Sequence, residues 1–88
     1  IIEYSSQLRN IDLIHPYEVH IPKESIIIGK TIADTSFWHN TRATILGIKR
    51  DDDLIISPGP HIDFKEDDII IFVGTDGVLQ NVETFINK

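Results

Sequence analysis

The chain has 88 residues, of which 41% are hydrophobic and 8% aromatic, a length and composition typical of one globular domain and not of a disordered chain. Fourteen acidic residues against eight basic ones give a formal net charge of −6, which argues against direct contact with nucleic acid. The absence of cysteine excludes disulfides and thiolate chemistry, and it leads us to expect a cytoplasmic domain.

The longest apolar run, Ile69–Val73, is too short to cross a membrane, so we expect no membrane contact by these residues. The sequence opens at Ile1 and not at a methionine. We therefore expect it to be an excised or processed piece of a longer protein.

The opening residues show helical spacing. Apolar side chains recur at intervals of three, four and three residues. They are Ile1, Tyr4, Leu8 and Ile11. This spacing predicts a short helix over residues 1–15 that ends at His15-Pro16. The helix is either an amphipathic helix packed on its own domain or the tail of a dimerising helix, a connector from an upstream region.

An alternating segment follows this helix. Tyr17, Val19 and Ile21 alternate with polar neighbours, which predicts a strand with one buried face. Residues 25–30 are either a short extra strand or an extended apolar loop, with a turn at Gly29.

A short helix is predicted from Ile32 to about Trp38. Thr31 precedes it as a candidate N-cap, and the apolar residues of the segment share one side.

The centre of the sequence is typical of a β-hairpin. Thr44–Lys49 is short and rich in β-formers, residues 50–53 (RDDD) offer a turn, and Leu54–Ser57 is expected to return antiparallel. Residues 57–60 (SPGP) predict a rigid turn, because proline has no N–H and cannot continue the strand. Gly59 is expected to take the positive φ in this turn.

The last third combines a strand with a helix. Ile62 and Phe64 are expected to anchor a polar loop, and Ile69–Gly74 predicts a strand that is apolar on both faces. Thr75 is expected to cap a final helix whose apolar stripe covers one of these faces. The stripe comprises Val78, Leu79, Val82, Phe85 and Ile86. A second copy of the chain is the natural cover for the other face, so we predict an obligate homodimer.

Four histidines invite a metal hypothesis, but their spacings of five, nineteen and twenty-two residues match no zinc pattern. The acidic runs at 51–53 and 66–68 do not follow the spacing of a calcium loop, which leaves open only a weak, exposed cation site. The sequence also contains no glycine-rich phosphate loop and no nucleophile-elbow serine. We therefore expect neither a structural metal nor an enzyme.

The residue types predict one concave site. The short helix supplies apolar and aromatic walls, the start of the hairpin supplies a guanidinium, and the rigid turn supplies free backbone groups. Together these suit a small anionic ligand with a base that can stack. The residues are Ile32, Ala33, Phe37, Trp38, Arg42, Ala43, Thr44 and those of Pro58–His61. The alternative is that Phe37 and Trp38 only pack in the core and in a dimer interface.

Five motifs, in order along the chain, are shared with a known family. They are Gly29–Ile32 (GKTI), Asn40–Arg50 (NTRATILGIKR), Ile56–Pro60 (ISPGP), Phe64–Asp68 (FKEDD) and Phe72–Gly74 (FVG). Together they resemble the RCK C-terminal domain, also called TrkA-C, from about Tyr17 to the end of the chain. The family usually has Gly where Arg42 stands, Ala where Gly47 stands, and Gly-Asp where this chain has Asp67-Asp68.

The resemblance implies an α+β domain over residues 16–88, with βαβββα order, two layers and a mixed sheet, preceded here by the short helix. It also implies a dimeric module without catalytic residues, cofactor or metal that regulates potassium or other cation transport. The host is then a channel, an uptake system or an antiporter, whose remaining regions lie upstream in the full chain.

In a bacterial subset of the family the domain binds cyclic di-AMP between two protomers, so the resemblance implies this or a similar anionic nucleotide as the regulatory ligand. The matching positions are Ile32, Ala33, Phe37, Trp38, Thr44 and Pro60. Trp38 replaces an arginine of the subset, and Thr44 replaces an asparagine. Our hypothesis is that stacking by Trp38 and a phosphate contact from Arg42 substitute for them. The full set of candidate ligand-binding residues is Ile32, Ala33, Phe37, Trp38, Asn40, Arg42, Ala43, Thr44, Pro58, Pro60 and His61.

A second subset is similar in Phe37-Trp38, in Asn40-Thr41 and in the SPGP turn. There the same domain is the sensor of a GntR-type repressor of osmolyte uptake, with a winged-helix head and a helical connector before it. Three functions therefore stay open: regulation of cation transport, regulation of transcription, and a structural dimerisation module without a ligand.

Overall fold

The computed structural model describes residues 15–88, so the predicted opening helix and its two interpretations lie outside the described residues. The described part contains four strands and three short helices. In chain order they are β1 (Tyr17–His20), α1 (Ile32–Thr35), α2 (Phe37–Thr41), β2 (Thr44–Arg50), β3 (Asp53–Ile56), β4 (Ile69–Val73) and α3 (Val78–Ile86). The predicted α+β class and the βαβββα order are confirmed, with the first helix divided in two.

The four strands form one sheet in the order β1-β4-β2-β3. Every pair of neighbouring strands is antiparallel, so the predicted mixed sheet is wrong. The reason is topological: β1 and β2 run in the same direction, but β4 lies between them and is antiparallel to both. Within residues 15–88, parallel pairing is confined to an isolated bridge between Ile28 and Phe64, where a short extra strand or a loop was expected.

The predicted first helix is two helices because the backbone reverses at Ser36, which has a φ of 49°. Thr31 caps α1 as expected, since its hydroxyl accepts a hydrogen bond from the Asp34 N–H at 3.1 Å. The second helix ends at Arg42, which has a φ of 64° and donates its N–H to the Trp38 carbonyl at 2.7 Å. Such short helices depend on tertiary contacts, because isolated helices of this length are unstable.

Aspartate takes the left-handed region in the predicted turn at residues 50–53 and again in the loop before β4. Asp51 has a φ of 55° and Asp67 a φ of 69°, as expected for residues that tolerate this conformation better than most. The SPGP turn differs from the prediction, because Ser57, with a φ of 50°, takes the positive φ and Gly59 does not. The Ser57 N–H still donates to the Leu46 carbonyl at 2.8 Å, so the chain leaves the sheet at Ser57 itself.

The core lies between one face of the sheet and the helices. Ile70 and Phe72 of β4 point into it together with Ile48 of β2, and all three are fully buried. The apolar stripe of α3 packs here as predicted, with Val78, Val82 and Ile86 buried. The predicted cap of α3 is wrong: Gly77, with a φ of 87°, is the N-cap, and Thr75 only accepts the Val78 N–H through its carbonyl.

Phe37 of α2 joins the second layer to the core. Its ring centroid lies 5.8 Å from that of Phe64 and 5.9 Å from that of Phe85, the second pair edge to face. Phe64 is fully buried, so the predicted anchoring of the loop before β4 by this residue is confirmed.

We call the opposite side of the sheet the outer face. Strand register and alternation place these apolar residues on it: Leu54, Ile56, Ile69, Ile71 and Val73. Leu54 and Ile56 are 51% and 71% exposed, so the apolar second face predicted for the sheet lacks cover within residues 15–88. Gly47 fits under Leu54, because a Cβ at position 47 would lie 3.3 Å from Leu54 Cδ1 and 3.0 Å from the Ile55 carbonyl oxygen.

A buried ion pair holds the loop before β4 against the end of β2. Asp68 is 1% exposed, and its carboxylate accepts from Arg50 Nε at 2.9 Å and from Arg50 Nη2 at 2.7 Å. The same carboxylate accepts the Lys65 N–H at 2.8 Å, and Arg50 Nη2 also donates to the Asp63 carbonyl at 2.7 Å. The buried charges are therefore compensated, and each end of the pair also fixes a backbone group.

The hydrogen bond to Asp68 raises the pKa of Arg50 above its ordinary value. A group whose pKa is raised by folding stabilises the fold below its unfolded-state pKa and loses that contribution as the pH rises through its folded-state pKa. For an arginine this window lies in strong alkali, so Arg50 is expected to keep its charge and its contribution near neutrality.

Replacing Arg50 with Met should lower the free energy of unfolding by about 3–5 kcal/mol, because it leaves the Asp68 carboxylate buried without its partner. Lys49→Met is the matched control, since Lys49 pairs with Glu18 at 2.8 Å but both side chains are about half exposed. This control should cost less than about 1 kcal/mol. Urea unfolding followed by circular dichroism measures both, and equal losses would contradict the structural role of the Arg50–Asp68 pair.

Candidate ligand-binding site

Two adjoining cavities open beside α2, and they share Trp38 and Thr44 as walls. The first has a volume of about 180 Å³ and is mostly apolar; Ile32, Phe37, Trp38, Ala43, Thr44, Ile45 and Pro58 line it. The second has a volume of about 480 Å³; Trp38, Arg42, Thr44, Val73, Gly74 and Thr75 line it. Both cavities are mostly apolar, the indole lines both of them, and the second also contains a guanidinium.

Phe37 and Trp38 are neighbours with opposite environments. Phe37 is 2% exposed and belongs to the core, so for this residue the packing interpretation holds. Trp38 is 55% exposed, which is unusual for the largest apolar side chain. An exposed aromatic ring at the mouth of a cavity offers a surface on which a base or another flat group can stack.

Arg42 lies over this indole. Its Cζ atom is 4.6 Å from the centroid of the Trp38 ring, within the range of a cation–π contact. The residue is placed there by its position as C-cap of α2 and by its left-handed backbone. Arg42 thus occupies the position at which the family usually has glycine, and its side chain lies over Trp38 of the preceding helix.

Gly74 forms the part of the second cavity where the chain passes from β4 towards α3. A Cβ at position 74 would lie 2.5 Å from Val78 Cγ2 and 3.1 Å from the Arg42 carbonyl oxygen, so only glycine fits. The Asn81 amide also donates to the Thr41 carbonyl at 3.2 Å. These contacts fix the end of α2, and with it Arg42, against the start of α3.

The wall of the first cavity depends on the chain after β3. The Ile32 N–H donates to the Ile62 carbonyl and the Ala33 N–H to the Pro60 carbonyl, both at 2.9 Å. These two hydrogen bonds hold α1 beside the SPGP turn and so bring Ile32 and Pro58 to the same cavity.

A model of the TrkA-C domain family matches residues 17–87 of the chain. The chain belongs to the TrkA-C domain family. The match covers every element described above, and it confirms the resemblance drawn from the five motifs.

Solved TrkA-C domains share this fold. The RCK_C domain dimer of S. agalactiae BusR in complex with c-di-AMP is 36% identical with a TM-score of 0.79, covering 84% of this chain and 91% of that one. BusR bound to its busAB-promotor DNA is 30% identical with the same TM-score, covering 97% of this chain and 46% of that one. The RCK C domain of the potassium transport protein KtrA, also in complex with c-di-AMP, is 28% identical with a TM-score of 0.76, covering 94% and 95%.

A curated relative is a transport protein. Probable potassium channel protein 2 of Methanocaldococcus jannaschii is 35% identical over 68 residues, which are 77% of this chain. The chain spans about a fifth of the length of that channel, since the match covers 20% of it. The chain is thus an RCK_C regulatory domain, homologous to domains of BusR and KtrA that were solved with c-di-AMP.

The structure brings most of the predicted site residues of this TrkA-C domain together. Those that line the two cavities are Ile32, Phe37, Trp38, Arg42, Ala43, Thr44 and Pro58. Ala33, Pro60 and His61 are exposed and line neither cavity. Asn40 lies apart from both cavities, and its amide donates to the Thr35 carbonyl at 2.9 Å.

Four lining residues were not predicted: Ile45, Val73, Gly74 and Thr75. The motif Phe72–Gly74 is among the five that carry the resemblance, and it is the one sequence signal that points to any of these four residues. Its relation to the site appears only with the sheet order, because Val73 pairs with Thr44 across β4 and β2.

Two other clefts of the TrkA-C domain are less suited to a ligand. One is lined largely by amides, of which those of Asn40 and Asn81 are already bonded to backbone carbonyls. The other lies between the Pro22–Ser25 turn and the end of α3. Residues 15–88 contain no group of three or more His, Cys, Asp or Glu side chains placed to hold a metal ion, and none of their helices is long and apolar enough to cross a membrane.

The left-handed backbone of Arg42 predicts a measurable difference between two substitutions. Arg42→Gly and Arg42→Ala both remove the contact with Trp38, but only glycine adopts this backbone conformation without strain. The free energy of unfolding should therefore be higher for Arg42→Gly by about 1 kcal/mol. Urea titration of the two variants tests this, and a more stable alanine variant would show that Arg42 is not held in the left-handed region.

Proposed function

We propose that this domain is a non-catalytic sensor that binds cyclic di-AMP between two copies of the chain and so regulates potassium or other cation transport. The observation that carries the proposal is the exposed indole of Trp38 between an apolar cavity and a cavity that contains Arg42. A base and a phosphate of one ligand require this combination of neighbouring surfaces.

The first cavity suits an adenine. Its lining side chains are apolar apart from the Thr44 hydroxyl and the N–H of the Trp38 indole, and they include Ile32 and Pro58. Stacking of a base on an aromatic side chain contributes about 1–3 kcal/mol, and a surrounding apolar wall excludes water from the base.

The second cavity suits the phosphate. A guanidinium binds a phosphate oxygen through charge-assisted hydrogen bonds, and Thr44 and Thr75 line the same space. The two solved domains with c-di-AMP support this choice of ligand, because they have the same fold and cover most of this chain.

The outer face supports a dimer. Leu54 and Ile56 are exposed there, and an apolar surface of this kind favours association with another protein surface. Thr44 and Val73 belong both to the outer face and to the second cavity. A second copy on this face therefore lies next to the ligand, and a ligand with two equivalent halves can contact both copies.

The host determines what the sensor controls. Our proposal is a cytoplasmic part of a potassium or cation transport protein, which the similarity to the channel and to KtrA supports. The alternative host is a GntR-type repressor of osmolyte uptake, supported by the similarity to BusR in its complex with promoter DNA.

Isothermal titration should show selective binding of cyclic di-AMP, with ATP and cyclic di-GMP as controls, at about one ligand for two chains. Trp38→Ala should weaken the affinity by about 5- to 150-fold, because it removes one stacking surface. His39→Ala is the matched control, since His39 lies on the same helix but lines neither cavity. Unchanged affinity in Trp38→Ala would place the ligand elsewhere.

A ligand-free dimerisation module is the second candidate, and the exposed outer face favours it directly. A thermal shift assay separates the two functions, because a ligand at 100 times its dissociation constant adds about 2.7 kcal/mol to the stability of the folded state. No shift with any of the three nucleotides would favour the dimerisation module.

Sedimentation should show a dimer at micromolar concentration. Ile56→Glu should give monomers, because it places a charge in the apolar outer face. Ile26→Glu is the control, since Ile26 is also exposed but lies in the turn before α1. A monomeric wild-type chain would overturn the dimer, and a dimeric Ile56→Glu variant would place the interface on another surface.

A further inference from the structure

The guanidinium of Arg42 occupies a face of the indole that would otherwise be open to a stacked base. Its Cζ atom lies 4.6 Å from the centre of the Trp38 ring, so the cation covers one face of the indole. The exposed ring is therefore not a free stacking platform, since part of its surface is already taken by the chain's own side chain.

Arg42 differs from the basic residues of β2 in its surroundings. Arg50 is paired with Asp68 and Lys49 with Glu18. Within residues 15–88 no carboxylate lies within 4 Å of the Arg42 guanidinium, and its side chain makes no hydrogen bond. Among the described residues, this leaves the indole as the contact that holds the guanidinium.

The backbone conformation of Arg42 is a second indication that its side chain has a functional role. Arg42 is held in the left-handed region, which is unfavourable for any residue with a Cβ. Unfavourable backbone conformations concentrate at functional sites, where the surrounding structure maintains them. Here the bond from the Arg42 N–H to the Trp38 carbonyl and the close approach of Gly74 maintain it.

We propose that Arg42 is a selectivity residue that admits anionic nucleotides to the indole and disfavours neutral nucleosides. A ligand whose base takes the covered face of Trp38 must displace the guanidinium. Only a ligand with a phosphate then offers the displaced guanidinium a new partner in the second cavity. This inference rests on the proposed function, because it assigns a role at the same site.

The sizes of the two effects decide the direction of the selectivity. A neutral nucleoside that displaces the guanidinium breaks the exposed cation–π contact. The loss of this contact weakens the binding of the nucleoside by about two- to five-fold. An anionic ligand instead gains hydrogen bonds from the charged guanidinium, which strengthen its binding by about 10- to 100-fold. Removing Arg42 should therefore have opposite effects on the two kinds of ligand.

The chain contains a single tryptophan and two tyrosines, so fluorescence excited at the long-wavelength edge of the indole band, where tyrosine does not absorb, reports on Trp38 alone. We would titrate the wild type and Arg42→Gly with cyclic di-AMP and with adenosine, exciting the indole at wavelengths that adenine does not absorb. Arg42→Gly should bind cyclic di-AMP about 10- to 100-fold more weakly and adenosine about two- to five-fold more tightly. The affinity of Arg42→Lys for cyclic di-AMP should lie between those of the wild type and Arg42→Gly, because lysine keeps the charge but lacks the planar guanidinium.

Lys23→Ala is the control for net charge, because it also removes one positive charge but lies in the turn after β1. Its affinities for both probes should equal those of the wild type. Equal affinities of the wild type and Arg42→Gly for both probes would overturn the role of Arg42 and leave the proposed function standing. Weaker binding of both probes to Arg42→Gly would overturn it as well, since it would mean general damage to the site. A wild type that does not bind cyclic di-AMP would overturn the proposed function and this inference together.

Discussion

The buried carboxylate of Asp68 is the constraint on which the arrangement of this domain depends. It accepts hydrogen bonds from the guanidinium of Arg50 at the end of β2. The backbone carbonyl of Asp68 also accepts the Ile21 N–H just after β1. One residue thus connects the ends of three strands. The intervening residues 51–67, which include β3 and the SPGP turn, are fixed at both ends by this pair. Separating so deeply buried a carboxylate from its partner is costly, so the pair favours this position of the loop.

That fixed loop allows the site to be built from helices too short to be stable alone. The first of them, α1, is bonded to the loop through Ile32 and Ala33, and α2 follows after the reversal at Ser36. Left-handed residues occur at both ends of α2 and again at Ser57 beside the first cavity. Each costs free energy, and the packing of Phe37 in the core has to compensate for it. Strain at the cavity mouth is therefore balanced by burial directly behind it.

The local features were predictable because each has a local cause. The alternation in β1, the stripe of α3 and the cap at Thr31 follow from neighbouring residues alone. The two departures from the glycine pattern of the family, at Arg42 and Asp67, lie at positive φ, so the family pattern marked a backbone requirement that this chain meets with other residues. Sheet order was not predictable, because it depends on partners far apart in sequence. The cavity residues Val73 and Thr75 and the pairing of Arg50 with Asp68 were missed for this reason.

The position of the second cavity at the edge of the outer face has a thermodynamic consequence. Thr44 and Val73 contribute to both surfaces, so a molecule in the cavity and a partner on the outer face would contact the same two residues. A ligand shifts an arrangement of two protomers only by its difference in affinity between arrangements. Because this coupling is reciprocal, a host that changes the angle between two protomers must also change the affinity for the ligand. Regulation by such a domain therefore needs no moving part within the protomer, only a cavity whose walls belong in part to the interface.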